Sequence, residues 1–332
     1  MRRATLAAFT NIRDDAVLAE IVAKIDAGDI EGAITAIGIT RAQMAPMEDA
    51  VVASFVAGGI ATAGQIGRQS VGGTGISIAV RFNSRSPRAE AWIAQNSSTL
   101  VTRIIEDQRE MLRGVLTEGL QAGRNPRSTA LDIVGRVDRS TGRRAGGFIG
   151  LTNQQAGYVR NMRAQLESGD PLQMAAYFDR QRRDRRLDGI VRRAIEDGKP
   201  VSTSDMQAIT GRYNDRLLSL RGETIARTES LNALRAGQLE SVQQAMEETG
   251  TQAQEATKTW DSTGDGKTRD IHTEMDGQRI AIGEAYTSPT GARLMYPGDS
   301  SLGAGGVDTI NCRCSSDISV DFIGRALRLE GF

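Results

Sequence analysis

Apolar residues recur every three or four positions through most of the first 250 residues, and each periodic run stops at glycine or proline. Between residues 87 and 123, Ile93, Leu100, Ile104, Met111 and Val115 keep four- or seven-residue spacings, and Leu120 follows five residues on. Pro87 stands where a helix start tolerates a missing N–H, and Gly123 where a helix end favours a left-handed residue. The pattern predicts one long amphipathic helix, or two in line if Asn96-Ser97-Ser98 interrupts it. Capping-box spacing predicts two further starts, at Thr152 with Gln155 and at Ser204 with Gln207. The apolar stretch 51–69 reads as helix despite its glycines, and residues 75–82 read as a short strand.

Beyond Gly250 the period shortens. "ATKTWDS", "GQRIAIG", "ARLMY" and "NCRCSSDISV" are brief alternating or β-branched runs separated by turn compositions. The expected fold is therefore mostly α with a small C-terminal α+β domain. Residues 1–200 form a helical N-terminal region, and residues 201–332 a domain in which the helix of residues 221–250 packs on a short mixed or antiparallel sheet.

A length of 332 residues suggests about two domains. Forty-one basic residues balance forty-one acidic ones, which excludes a polycation built to coat nucleic acid and makes any basic function local. Only Lys24, Lys199, Lys258 and Lys267 are lysines; the other basic residues are arginines. Two cysteines fit a reducing compartment. The basic amino terminus loses its apolar run at Thr10 and Asn11, short of a signal peptide, and no segment reads as a membrane span. The expectation is a soluble protein, cytoplasmic at least when made.

Chemistry is sparse. The segment "DSTGDGKTRDIH" imitates a phosphate loop, but Asp261 stands where a glycine is needed. It also imitates a calcium loop, but His272 replaces the bidentate glutamate. His272 is the only histidine, so any triad or histidine-based metal site must use it. With Cys312 and Cys314 it offers three soft ligands, and Asp299 or Asp276 could add a fourth to hold zinc. Two positions apart on a strand, the cysteines share a face with Ile318 and Val320, so they meet a metal, fill the core as small apolar groups, or close a Cys-x-Cys disulfide at the cost of a strained ring. On a wheel of the 225–246 helix, Arg227 and Thr228 fall inside the arc of Leu231, Leu234, Leu239, Val242 and Met246. This predicts a buried polar knot in which Glu223 pairs with Arg227, the alternative being a phosphate contact. Finally, Arg182, Arg183, Arg185, Arg186, Arg192 and Arg193 crowd a segment that is either a solvated face or a contact for DNA phosphate or an acidic partner.

The order "YNDRLLSLRGETIARTESLNALRAG", "KTWDSTGDGKTRDIHTEMDGQRI", "LMYPGDSS" and "INCRCSSD" resembles the Mu F-like phage head morphogenesis family, the minor head or minor capsid proteins, over about residues 210–318. The resemblance implies a low-copy virion protein inside the head near the portal vertex, made in the host cytoplasm and acting in head morphogenesis, and in DNA packaging or ejection. Its implied partners are the portal protein, scaffold or major capsid protein and double-stranded DNA bound non-specifically, with no membrane. It implies no enzyme and no cofactor. Two alternatives remain at this point: a metal-dependent hydrolase with His272, Cys312 and Cys314 as ligands and Glu274 or Asp299 as base, and a DNA-binding head protein.

Overall fold

A computed structural model describes residues 1–66 and 80–322. In chain order its elements are α1 (Arg2–Asp15), α2 (Leu18–Asp26), α3 (Ile30–Ile37), α4 (Ala45–Ile66), α5 (Pro87–Gln121), α6 (Pro126–Val134), β1 (Arg136–Val137) and β2 (Arg144–Ala145). There follow α7 (Asn153–Glu167), α8 (Pro171–Ala175), α9 (Asp188–Glu196), α10 (Thr203–Thr249), β3 (Ala256–Asp261), α11 (Asp270–Glu274), β4 (Arg279–Ala281), β5 (Tyr286–Thr287), β6 (Arg293–Leu294), α12 (Gly306–Thr309) and β7 (Ser315–Val320). The fold is mostly α with a small C-terminal antiparallel sheet, as the periodicity predicts.

Helix α5 runs unbroken through Asn96-Ser97-Ser98 and closes on Gly123, whose φ of 60° turns the chain so that the Arg124 N–H reaches the Gly119 carbonyl. The capping box at Thr152 and Gln155 forms in full. The one expected at Ser204 does not. Helix α10 starts at Thr203, and Ser202 caps it by accepting from the Asp205 N–H while its hydroxyl donates to the Asp205 carboxylate. Residues 75–79 of the expected short strand lie outside the described residues, and 80–82 adopt no regular structure.

The chain groups into two compact units that interleave in sequence. One contains Met1, residues 48–98 and residues from 224 on; the other contains residues 2–47 and 99–223. The segment read from sequence as one body, 201–332, thus gives α10 as far as Glu223 to the second unit and the rest to the first.

In the second unit a buried glycine-rich turn, residues 146–151, has its backbone satisfied by side chains rather than by a ladder. Arg13 donates to the Ile149 carbonyl, Arg221 to the Gly150 carbonyl, and Gln108 both donates to the Leu151 carbonyl and accepts from the Gly150 N–H. Irregular backbone can be buried only when its polar groups are paired in this way. Phe148, Ile149 and Leu151 are thereby held in the core with Phe9 and Ile12.

In the first unit α4 and α10 touch backbone to backbone. A Cβ on Gly58 would lie 2.1 Å from the Leu234 carbonyl oxygen, and one on Gly237 would lie 2.0 Å from that of Phe55. Phe55 then stacks on Trp92 at 4.8 Å, and the Trp92 indole donates to the Tyr296 hydroxyl at 3.0 Å. Residues Ala42–Ile66 are long and apolar enough to cross a membrane by length and composition alone, which corrects the sequence reading that no segment is. Within this unit Gly58 of that run serves close helix packing, and Gly59 makes room for the Phe82 ring.

The tail of the first unit is built around β3, flanked by β4 and β7 in an antiparallel sheet of order β4-β3-β7. Alternation on β3 turns Ala256, Lys258 and Trp260 inward. Trp260, Met275, Tyr286, Leu294, Ala304, Cys312 and Cys314 form its core.

Candidate metal and anion site

The site is assembled from four short stretches of the first unit. Strand β3 ends at Asp261, just past Trp260, and the loop after it is pinned by Asp265, which accepts from the Lys267 N–H, the Thr268 hydroxyl and both Nη atoms of Arg313. This pairing holds the Asp265 carboxyl well below the usual carboxylate range, the Arg313 hydrogen bonds being the main cause. It also disposes of the calcium-loop comparison, because the carboxylate is already occupied by a guanidinium.

Helix α11 then delivers His272, which is buried and stands edge-on to Trp260 with ring centroids 5.4 Å apart. The third stretch is the turn before β7. Asn311 is the one non-glycine residue with positive φ among the described residues, at 56°, a conformation that asparagine tolerates better than most. Its N–H donates to the Thr228 hydroxyl on α10, the fourth stretch. Arg269 closes the wall by donating to the Ile310 carbonyl.

Cys312 and Cys314 lie in extended chain just ahead of β7, not on the strand as expected, yet their side chains keep the alternation that Ser316, Ile318 and Val320 continue. Both thiols are buried and unbridged. Cys314 Sγ lies 3.5 Å from His272 Nδ1, and the potential ligand atoms of His272, Cys312 and Cys314 all fall within 4.8 Å of one another. The hydrogen bond between the sulfurs, aided by Arg235, holds the Cys312 thiol down at about 6 against the cost of burial; the same bond, with burial, pushes Cys314 up to about 12.

These three side chains form one wall of a cleft of about 220 Å³ that is also lined by Arg227, Lys267, Arg269 and Arg313. The cleft thus sets two thiols and an imidazole against four cationic side chains.

Sequence reasoning brought together His272, Cys312 and Cys314 correctly but not their neighbours. Asp299 does not join the cluster: its carboxylate accepts from the N–H groups of Met295 and Ser301 and from the Ser301 hydroxyl, closing its own turn. Asp276 accepts from the Ser262 N–H, bracing the chain beyond β3. Glu274 is exposed, two residues past His272 and so on the opposite side of the helix. The expected knot at Arg227 is also corrected. Arg227 is exposed on the rim of the cleft, Glu223 pairs with Arg2, and Thr228 holds Asn311.

The buried guanidinium of this site is Arg235, seven residues beyond Thr228, which donates to the carbonyls of Pro297 and Cys312 at 2.8 and 3.2 Å. Two helical turns, nearly a whole number of residues, return to the same face, so the seam runs through 228 and 235 and leaves 227 outside. The sequence signal for Arg235 was that spacing from Thr228. Leu234, assigned to the apolar arc, is 41% exposed.

The arginine-rich segment belongs to the second unit and is partly self-neutralised. Arg183 forks onto Asp188, Arg186 onto Asp184, and Arg192 reaches Asp188 at 4.0 Å, while Arg183 and Arg192 also lie over Phe178. Arg182, Arg185 and Arg193 are exposed without such partners among the described residues.

Residues 187–316 match the model of the family described as Phage Mu protein F like protein. This stretch, well under half of the chain, is similar to that family of phage head proteins. Neither the curated proteins nor the solved structures provide a significant match. All of the cluster, together with Arg227 and Arg235, lies inside the matched residues, as do Arg192 and Arg193 of the basic segment.

Proposed function

We propose that this chain is a minor head protein of a tailed phage, positioned inside the head near the portal vertex and acting in head morphogenesis rather than as an enzyme. The observation that carries the reading is the Mu F-like match over residues 187–316. In this reading the portal protein and either scaffold or major capsid protein are its partners, it is made in the host cytoplasm, and it is retained in the virion. Packaged DNA contributes only backbone contacts, through whichever arginines keep a free charge. A binding role agrees with the engagement of the two acids once considered as bases: Asp299 is spent on its turn and Glu274 faces solvent.

The test is quantitative mass spectrometry of purified virions and procapsids, with lysine- and acid-directed crosslinking to locate neighbours. Peptides from this chain should appear at a small fraction of the major capsid protein, crosslinked to the portal. Absence from virions and from portal-containing procapsids would overturn the proposal.

A further inference from the structure

The cluster of His272, Cys312 and Cys314 has a chemistry that a head-assembly role does not use. Two thiols and an imidazole can simply fill a core, and both cysteines do belong to the tail's apolar cluster. Three features go beyond filling.

The first is convergence. Tetrahedral zinc with two sulfurs at about 2.3 Å and a nitrogen at about 2.0–2.1 Å sets its ligand atoms roughly 3.5–3.8 Å apart. The Cys314 to His272 separation is already 3.5 Å, and no ligand pair exceeds 4.8 Å. Side-chain rotation alone closes the rest.

The second is an unsatisfied atom. His272 Nε2 is buried without a hydrogen-bond partner, so no acceptor fixes the tautomer of the imidazole and Nδ1, the nitrogen that faces Cys314 Sγ, is left for an ion.

The third is permanent charge. Arg235 is buried and donates to the carbonyls of Pro297 and Cys312, which sets a permanent positive charge against the backbone of the residue that carries one of the sulfurs. All three residues also line the cleft, which gives an ion a way in.

We infer that His272, Cys312 and Cys314 bind one zinc ion, with the fourth coordination position turned toward the cleft bounded by Arg227, Lys267, Arg269 and Arg313. Soft sulfur donors with one imidazole select zinc over magnesium or calcium, which take oxygen ligands. The inference is independent of where the protein resides in the particle.

The test uses the full chain purified under reducing conditions with zinc present. Elemental analysis should return about one zinc per chain. Replacing zinc by cobalt should produce thiolate-to-cobalt charge-transfer absorption together with the intense visible bands of a tetrahedral ion. Cys312→Ser, Cys314→Ser and His272→Gln should each lower the bound zinc at least tenfold. Because such variants can fail to fold, the wild-type chain provides its own control: methanethiosulfonate modification of the two thiols should release the zinc stoichiometrically to a chromogenic chelator. A wild-type protein that holds under about one-tenth equivalent of zinc and shows no charge-transfer band with cobalt overturns the site.

Discussion

Replacing Gly237 by alanine separates two effects of opposite sign. Helix propensity alone favours alanine over glycine in a helix interior by about 1 kcal/mol. Position 237, however, faces the backbone of α4, where the new Cβ would sit 2.0 Å from the Phe55 carbonyl oxygen and 3.0 Å from the Gly59 nitrogen. Ordinary contact begins near 3.4 Å, so the oxygen would have to retreat by about 1.4 Å. It cannot do so alone, because that carbonyl belongs to a helical backbone whose hydrogen bonds fix it. The helices must therefore move apart, and Phe55, Ala233 and Ala236, all buried, lose contact together. A gap of 0.5–1 Å forfeits about a quarter to a half of each dispersion contact.

Overpacking of this kind costs about 1–3 kcal/mol, and the rigidity of the opposing atom puts this case at the upper end, leaving a net loss of about 2 kcal/mol after the propensity gain. Gly64 supplies the control: it is exposed on the same helix α4, and nothing among the described residues lies within 4 Å of its virtual Cβ. Gly64→Ala should raise stability by up to about 1 kcal/mol. Guanidinium denaturation followed by tryptophan fluorescence reads the right unit, because Trp92 stacks on Phe55 and Trp260 lies in the same unit's tail core. The reasoning fails if Gly237→Ala raises the midpoint, or if the two alanine variants behave alike.

Burial pulls the Lys258 ammonium down from 10.5 to about 8, although its Nζ donates to the Met295 carbonyl at 2.7 Å and lies over the Tyr286 ring. Between pH 8 and 10.5 the unfolded chain then binds more protons at this residue than the folded one, so the lysine makes stability rise with pH across that window. Denaturation midpoints measured from pH 7 to 10 should show this rise in wild type and lose it in Lys258→Met; parallel curves would refute the assignment. Of the six arginines between Arg182 and Arg193, Arg182, Arg185 and Arg193 keep a charge without an acidic partner among the described residues. Replacing all three by alanine should make the log–log salt dependence of duplex DNA binding shallower by no more than about 3. Arg183→Ala should leave that slope alone while lowering stability, and the opposite ranking would show that the paired arginines are the contacts.

How much of this was legible in the sequence depends on whether a residue's role was set locally. The start of α5 at Pro87, its end at Gly123 and the capping box at Thr152 were readable because a cap or a left-handed turn is decided within four residues. The strands of the tail were readable from alternation, since one face of the sheet is buried. The interleaving of the units was not, because nothing in residues 48–98 announces that they share a core with residues 224–322. Even Gly58 of α4, in a stretch that read as weak helix, marks where a distant carbonyl passes.

The exchange of Arg227 for Arg235 has the same cause. A helical wheel assumes that apolar side chains mark the buried face, and from Asn232 to Met246 α10 is buried on most sides. There the polar residues are inside as well: Asn232 meets Asn96, while Glu240 and Gln244 are held by Ser86, Arg88 and the Asn83 backbone. With both classes buried, the arc of leucines carries no directional information, and Leu234 is left in solvent. What identifies Arg235 is geometric: it is the residue on the Thr228 face that reaches the turn of Pro297 and the carbonyl of Cys312. The two α10 residues together fix that stretch, Thr228 by holding the N–H of Asn311 and Arg235 by holding the carbonyl of Cys312. The position of the cysteines opposite His272 is therefore set by a helix some eighty residues earlier in the chain, which is why their spacing in sequence suggested the ligands but not the wall that aims them.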